Sequence, residues 1–175
     1  MNPPVTVPYD NVQQANKYWC WAAVASNVFN VLFPKGTMDQ CQVATAAGQN
    51  CNLPNSFSLV VALNGNPSGP GLHIFHNKSS SAAKFFELIL SELGAQRPVS
   101  AEVDFATLTH FVAVTGADPA MMNVWVADPF PGGDSIEFAF EAFLENYYFM
   151  DSSSSQGEQT GGVVEALIAV NAGSK

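Results

Sequence analysis

The sequence contains little positive charge. Of its 175 residues only 6 are Lys or Arg, against 15 Asp or Glu, and the formal net charge at pH 7 is −9. Arg97 is the only arginine. Proteins that bind nucleic acid backbones need clusters of Lys and Arg to pair with the phosphates. We therefore expect no nucleic acid partner.

Long apolar runs are also missing. No run reaches the length of about 18 apolar residues that a transmembrane helix needs, so we expect no membrane insertion. Residues 1–4, with the sequence MNPP, lack the positive charge and the apolar segment of a secretory signal peptide. If the protein is exported, we expect its leader to be absent from this chain.

Cysteine and histidine are scarce, with three residues of each and no Cys-x-x-Cys pair. Structural zinc sites use four Cys or His ligands, often in such pairs, so we expect no metal site. Apolar residues make up 47% of the chain and charged residues 12%, which excludes intrinsic disorder. The length is that of a single domain, residues 1–175, and we expect a monomer.

The first half of the chain has helical patterns. Residues 20–33 place their apolar side chains along one arc of a helix, which Pro34 would end. Thr37 followed by Gln40 matches a capping box and predicts a second helix that ends near Gly48.

Two further helices are predicted, a short one from residue 55 or 56 and a longer one over 81–93 that Gly94 ends. Beyond residue 97 the pattern changes to the alternation typical of strands. The predicted strands are 98–105, 110–116, 123–128, 135–140 and 163–170, with a short helix around 141–147. Helices followed by strands favour an α+β fold, with a helical N-terminal lobe at about 9–96 packed against an antiparallel β-rich C-terminal lobe at about 97–175. A cleft between the lobes is the expected location of a site.

Cys20 opens the first predicted helix. The free amides and the dipole at a helix N-terminus favour the thiolate, which is the nucleophilic form of cysteine. From its position alone, Cys20 is equally well interpreted as a buried structural cysteine.

His110 and Asp128 lie on two predicted strands that can form a hairpin. If residues 117–121 are its loop, with Gly116 opposite Met122, then His110 falls directly opposite Asp128. Cross-strand partners have Cβ atoms about 4.5 to 5.5 Å apart, so the carboxylate can orient the imidazole. The alternative is a histidine paired with a carboxylate for stability alone.

Acyl transfer also needs hydrogen-bond donors for the oxyanion that develops on the carbonyl. Gln14 lies six residues before Cys20, close enough for its side-chain amide to join the Cys20 backbone N–H at one oxyanion hole. Gln13 is the competing choice.

These motifs follow one another in a characteristic order. Gln14 precedes WCWAA at 19–23, QCQVA at 40–44, HFVAVTG at 110–116 and VADP at 126–129, which Gly132 follows. Over residues 8–133 the chain thus resembles the papain-like cysteine peptidases, in particular the compact bacterial branch that includes secreted effector proteases and bacteriocin-leader processing peptidases. The resemblance implies a papain-like fold. The sequence does not give the compartment, and we expect a protein that is secreted or delivered to a target cell.

The resemblance also implies a role for each matching residue. Cys20 would be the nucleophile and His110 its general base, Asp128 would orient His110, and Gln14 would serve the oxyanion hole. The implied activity is that of a cysteine endopeptidase, which cleaves peptide or protein substrates through a thioester acyl-enzyme and requires no cofactor.

Three alternatives use the same residues. The triad could transfer the acyl or peptidyl group to an amine instead of water, the cleft could bind peptides without catalysis, or Cys20, His110 and Asp128 could hold zinc. Cys41 and Cys51, ten residues apart, either form a disulfide in an oxidising compartment or are two buried thiols.

Overall fold

The computed structural model describes residues 3–53, 55–64, 72–76, 81–133, 135–151 and 157–170. The helices in these ranges are α1 Cys20–Leu32, α2 Gln40–Ala46, α3 Leu59–Asn64, α4 Ala82–Gly94 and α5 Phe140–Glu145. The strands are β1 Val5–Thr6, β2 Leu72–His76, β3 Val99–Asp104, β4 Thr109–Asp118, β5 Asn123–Ala127, β6 Ser135–Ala139, β7 Tyr147–Asp151 and β8 Gly157–Val170. The predicted α+β class is confirmed.

The strands form one antiparallel sheet in the order β2-β8-β3-β4-β5-β6, with β1 added to β4 and β7 added to β8. Helices cover both of its faces. On β4, Phe111 and Ala113 pack into a core with α1, α2 and α3, whereas Val112 and Val114 pack into a second core with α4 and α5. This alternation follows from the period of two of a strand, and it explains why β4 is buried at almost every position.

Helix α1 is buried over most of its length because its alanines and valines contact the sheet and the neighbouring helices. It begins two residues after Tyr18, which adopts the left-handed conformation with φ of 67°. It ends just before Pro34, whose ring disfavours helical backbone at the preceding residue. The first residue of α1 is Cys20, and α1 packs against β4.

The boundary between the lobes, predicted near residue 97, stays a prediction. Strand β2 lies in the first half of the chain and pairs with β8 at the edge of the sheet. Helix α4 also precedes residue 97, and its Phe85 and Ile89 belong to the same core as Val99 and Val112 of the sheet. Sheet-forming and sheet-covering segments therefore occur on both sides of residue 97.

The predicted register of the β4–β5 hairpin is wrong by two residues on the side of His110 and by three residues next to the loop. Ala113 pairs with Ala127 and Val114 with Val126, after which a β-bulge shifts the register so that Gly116 pairs with Trp125. The strands extend to Asp118 and Asn123, so the loop is shorter than predicted. A shift of two residues leaves each side chain on the same face of the sheet, since the side-chain period of a strand is two.

Three helix ends also differ from the prediction. The capping box of α2 is formed by Asp39 and Gln42, not by Thr37 and Gln40, because the Asp39 carboxylate accepts from the Gln42 amide and the Gln42 side chain accepts from the Asp39 amide. Helix α3 begins at Leu59, later than predicted. Beyond α4 the left-handed residue is Gln96, with φ of 58°, whereas Gly94 is still helical.

Cys41 and Cys51 form a disulfide, which connects α2 to the segment that follows it. Of the two interpretations left open by the sequence, the structure has the disulfide. None of the helices in the described ranges is long and apolar enough to cross a membrane.

Candidate active site

Cys20 is the free cysteine among the described residues and occupies the first position of α1. Only 7% of its surface is exposed. No side chain in the described part of the chain caps this helix, and its N-cap is Trp19. The amides of the first turn therefore point toward the space beside the thiol without a capping side chain in front of them.

The tryptophans on either side of Cys20 are fully buried and hydrogen-bonded. Trp19 Nε1 donates to the Leu53 carbonyl at 3.1 Å and lies 3.2 Å from Asn55 Oδ1. Trp21 Nε1 donates to the Asn55 carbonyl at 3.0 Å. Both indoles thus fix the start of α1 against the segment that follows the disulfide.

His110 is the second residue of β4 and is 3% exposed. Its Nε2 lies 2.9 Å from Oδ1 of Asp128, which follows directly after β5. His110 also forms a hydrogen bond and an electrostatic contact with Cys20. Since Nε2 is engaged by Asp128, Nδ1 is the ring nitrogen left to face the thiol. The structure therefore brings the three residues together, with His110 in contact with Cys20 and with Asp128.

The charges of this pair are strongly coupled. Burial lowers the pKa of His110, but the attraction of the Asp128 carboxylate, the hydrogen bond to it and the contact with Cys20 outweigh burial and raise the pKa to about 10. Burial likewise raises the pKa of Asp128, but the interaction with His110 outweighs it and the pKa is lowered. At neutral pH the pair is accordingly an imidazolium beside a carboxylate.

The Asp128 carboxylate receives two further hydrogen bonds. Oδ1 accepts from the Phe130 amide at 2.8 Å, and Oδ2 accepts from the Tyr147 hydroxyl at 2.8 Å. Tyr147 is fully buried, and burial together with the adjacent Asp128 raises its pKa well above the usual value. Its hydroxyl therefore stays protonated and remains a donor.

Sequence reasoning missed Tyr147. The residue lies on β7, nineteen positions after Asp128, and the segment around it matches no motif. The signal that could have found it is its place in an aromatic cluster, where its ring packs against Phe105, Phe138 and Phe143. A buried tyrosine needs a partner for its hydroxyl, and the carboxylate is that partner.

The backbone around Asp128 is also held tightly. Asn11 Nδ2 donates to the Asp128 carbonyl at 2.6 Å and to the Gly133 carbonyl at 3.0 Å. A Cβ at Gly133 would lie 2.7 Å from the Asp128 carbonyl oxygen and 2.9 Å from that of Phe130. Only glycine therefore fits the tight turn that follows Asp128.

Gln14 lies between this turn and the start of α1. Its backbone amide donates to the Pro129 carbonyl at 2.6 Å, and its side-chain Nε2 donates to the Asn16 carbonyl at 3.1 Å. The same Asn16 carbonyl accepts from the Trp19 amide at 3.1 Å. The Gln14 side-chain amide and the Trp19 backbone amide thus share one acceptor, and Trp19 is the residue before Cys20. Gln13, the competing choice, is exposed.

Comparison with known proteins gives one family. The model of the peptidase C39-like family matches residues 6–155. No curated protein matches the sequence significantly.

Solved structures of similar fold include the peptidase domain of Streptococcus ComA, a bi-functional ABC transporter involved in a quorum-sensing pathway. It is 15% identical, has a TM-score of 0.53 and covers 88% of this chain and 97% of its own. A double-glycine-motif protease from an AMS/PCAT transporter, solved in complex with the leader peptide, is 17% identical with a TM-score of 0.53 and covers 97% and 99%. A Bacillus anthracis protein described as a C39-like peptidase is 14% identical with a TM-score of 0.53 and covers 97% and 98%. At these identities the likeness concerns the fold.

Proposed function

Since the chain belongs to the peptidase C39-like family, and is a cysteine peptidase of papain-like fold, we propose that it hydrolyses peptide bonds with a Cys20–His110–Asp128 triad. The prediction of a papain-like cysteine peptidase from the sequence is confirmed at the level of family and fold. The roles of the individual residues, and hydrolysis through a thioester, are the proposal.

One observation carries the proposal. A buried imidazole contacts a free thiol at the start of a helix and lies 2.9 Å from a buried carboxylate. The carboxylate orients the ring and favours its charged form, and a charged imidazole beside a cysteine is an arrangement suited to nucleophilic catalysis. Structural thiols have no need of such a partner, which is the reason to prefer catalysis over the purely structural interpretation of Cys20.

In the proposed first step, Cys20 Sγ attacks the carbonyl carbon of the scissile peptide bond. His110 donates a proton to the leaving amine as the C–N bond breaks, and the acyl group remains on Cys20 as a thioester. In the second step a water attacks the thioester while His110 accepts one of its protons. The C–S bond breaks, and the carboxylic acid product leaves and loses its remaining proton to the solvent. Cys20 Sγ, released as the thiolate, again lies beside the protonated His110.

The oxyanion formed in both steps needs donors. The Cys20 backbone amide is one candidate, and the Gln14 side-chain amide is the second. The hydrogen bond of Gln14 to the Asn16 carbonyl uses one of its two N–H groups, so the other is available for the oxyanion. Apart from the substrate and the attacking water, these steps use side chains and backbone groups of the chain.

Peptides are the proposed substrates. The similar double-glycine-motif protease was solved with a leader peptide, which supports a peptide ligand for this fold.

The test is covalent labelling with an epoxysuccinyl inhibitor, followed by peptide mapping in a mass spectrometer. We expect one adduct, on Cys20, because Cys41 and Cys51 are joined in a disulfide. His110→Ala should abolish rapid labelling at pH 7, and Cys20→Ser should abolish cleavage of a quenched fluorescent peptide library. Cleavage retained in a folded Cys20→Ser variant would overturn the proposal.

The same library separates hydrolysis from transfer. Hydrolysis in water enriched in oxygen-18 places the heavy oxygen in the new C-terminal carboxylate. Transfer to an added amine instead forms an amide at that C-terminus. We expect the heavy carboxylate as the main product even in the presence of the amine.

A further inference from the structure

Gln40 is a polar side chain that is 93% buried, since only 7% of its surface is exposed, at the first position of α2. It takes no part in the capping box of that helix, which Asp39 and Gln42 complete between them. A buried amide without a capping role requires other partners for its donor and acceptor groups.

Those partners lie on the two sides of Gln14. Gln40 Oε1 accepts from the Ala15 amide at 2.8 Å, and Gln40 Nε2 donates to the Gln13 carbonyl at 2.7 Å. We call this pair of hydrogen bonds the bracket. A side-chain amide is suited to the bracket because, as a neutral group, it carries both a donor and an acceptor in one plane. Both hydrogen bonds connect segments that are at least 25 residues apart in the sequence.

The bracket completes the fixation of Gln14. The Gln14 backbone amide donates to the Pro129 carbonyl, and the Gln14 side-chain amide donates to the Asn16 carbonyl. Without Gln40, the Gln13 carbonyl and the Ala15 amide would each lose a partner. Gln14 would then be held by its hydrogen bonds to Pro129 and Asn16 alone, and the backbone on either side of it could rotate. A rotation that moves the side-chain amide by about 1 Å is enough to misplace a donor in an active site.

We propose that Gln40 is a positioning residue of the oxyanion hole, which acts through Gln14 and has no direct contact with the substrate. The inference rests on the proposed function of Gln14. It adds that the QCQVA segment contributes to catalysis through its first residue, by holding a loop on which the oxyanion donor lies.

The proposal separates two reactions of Cys20. Peptide cleavage builds an oxyanion and needs a correctly placed Gln14, whereas alkylation by iodoacetamide displaces iodide from carbon and builds none. Loss of the bracket should therefore slow cleavage and leave alkylation unchanged.

The experiment compares Gln40→Glu and Gln40→Met with Gln42→Glu. Glutamate keeps the acceptor for Ala15 but presents an oxygen to the Gln13 carbonyl, and methionine removes both hydrogen bonds at nearly constant volume. Gln42→Glu is a matched control on the same helix, because its carboxylate can still accept from the Asp39 amide. Each variant is assayed for kcat and KM, for the rate of iodoacetamide alkylation of Cys20 and for urea unfolding.

We expect both Gln40 variants to lower kcat about 10-fold or more, against the 100- to 1,000-fold typical of losing an oxyanion donor outright. KM and the alkylation rate should stay within about 2-fold of the wild type, and Gln42→Glu should match the wild type. A fall in alkylation parallel to that in kcat would overturn the proposal, because Gln40 would then support the whole site.

A double-mutant cycle with Gln14→Ala protects the test against a general loss of stability. Once the oxyanion donor is gone, adding Gln40→Met should lower kcat by less than about 2-fold, since contacting or linked residues are non-additive. Additive losses would overturn the proposal. Cleavage that persists in Cys20→Ser would instead contradict the proposed function, so the two failures are distinguishable.

Discussion

The Tyr147 hydroxyl donates to Oδ2 of Asp128 at 2.8 Å, while Oδ1 of the same carboxylate lies 2.9 Å from His110. The two oxygens thus have separate tasks. Oδ2 is anchored to a residue from β7, and Oδ1 is directed at the imidazole and the Phe130 amide. With both oxygens held, the carboxylate cannot rotate away from His110 without breaking a buried hydrogen bond.

Tyr147→Phe should therefore both destabilise the protein and lower its activity. The ring keeps its packing, but Oδ2 is left without this donor in a buried site, at a cost of about 1 to 3 kcal/mol. Urea unfolding measures the loss of stability, and kcat should fall at constant KM because the orientation of His110 is less well defined. Tyr148→Phe is the control, since Tyr148 is 39% exposed, and should change the stability by less than about 0.5 kcal/mol. Equal behaviour of the two variants would contradict the anchoring role.

The ion pair predicts how stability depends on pH. The pKa of His110 is raised from 6.5 to about 10 in the folded protein, so its stabilising contribution is complete below pH 6.5 and is lost as the pH rises toward 10. The pKa of Asp128 is lowered, so its contribution is present at neutral pH and is lost in acid. The free energy of unfolding of the wild type should fall between pH 6.5 and 10 more steeply than that of His110→Gln.

The matching measurement is direct titration of the imidazole by nitrogen NMR. We expect His110 to remain protonated through neutral pH, with its midpoint near pH 10. A midpoint near 6.5 would mean that Asp128 does not outweigh burial, and the two unfolding curves should then run parallel.

Gly133→Ala tests the turn that follows Asp128. The added Cβ would lie within 3 Å of two carbonyl oxygens of the backbone, so the turn must move, at a cost of about 1 to 3 kcal/mol. Because Asp128 is part of that turn, kcat should fall as well. Gly36→Ala is the control, since its Cβ would meet no atom within 4 Å, and it should be neutral in both thermal unfolding and cleavage assays. Full activity of Gly133→Ala would show that the turn tolerates displacement.

The residues of the site could be predicted where the sequence pattern is local, or where only the face of the strand on which a side chain lies has to be right. Apolar spacing and Pro34 mark both ends of α1, which places Cys20 at a helix start. The hairpin prediction places His110 and Asp128 on one face, and they lie together even though the register next to them is wrong by two residues. A slip of two preserves the face, whereas a slip of one would have separated them.

The rest depends on pairings between distant segments. Two capping-box patterns overlap near α2, one starting at Thr37 and one at Asp39, and the sequence does not rank them. The tertiary structure does, because Gln40 is bonded to residues 13 and 15 and is unavailable for a cap. Strands β1 and β2 are missed for the same reason, since each is defined by a partner far along the chain. Strand β7 pairs with β8, which follows it in the chain, and its first residue, Tyr147, falls at the end of the helix predicted around 141–147.

The disulfide supports the last prediction. Cys41→Ser combined with Cys51→Ser should lower the free energy of unfolding by about 2 to 4 kcal/mol, since a bridge across ten residues restricts the unfolded chain. The segment it holds also accepts the hydrogen bonds of Trp19 and Trp21, so the start of α1 should loosen and the alkylation rate of Cys20 should change with it.

Measurements at different temperatures separate the two effects of the double cysteine variant, which are the loss of stability and the loosened start of α1. Well below its unfolding midpoint the double variant is fully folded, so any remaining decrease in kcat measures the placement of Cys20 and not the unfolded fraction. Reductant should convert the wild type to the behaviour of the variant and leave the variant itself unchanged. If the variant cleaves peptides at the wild-type rate under these conditions, the tryptophans hold α1 without the bridge, and the contribution of the disulfide is to stability alone.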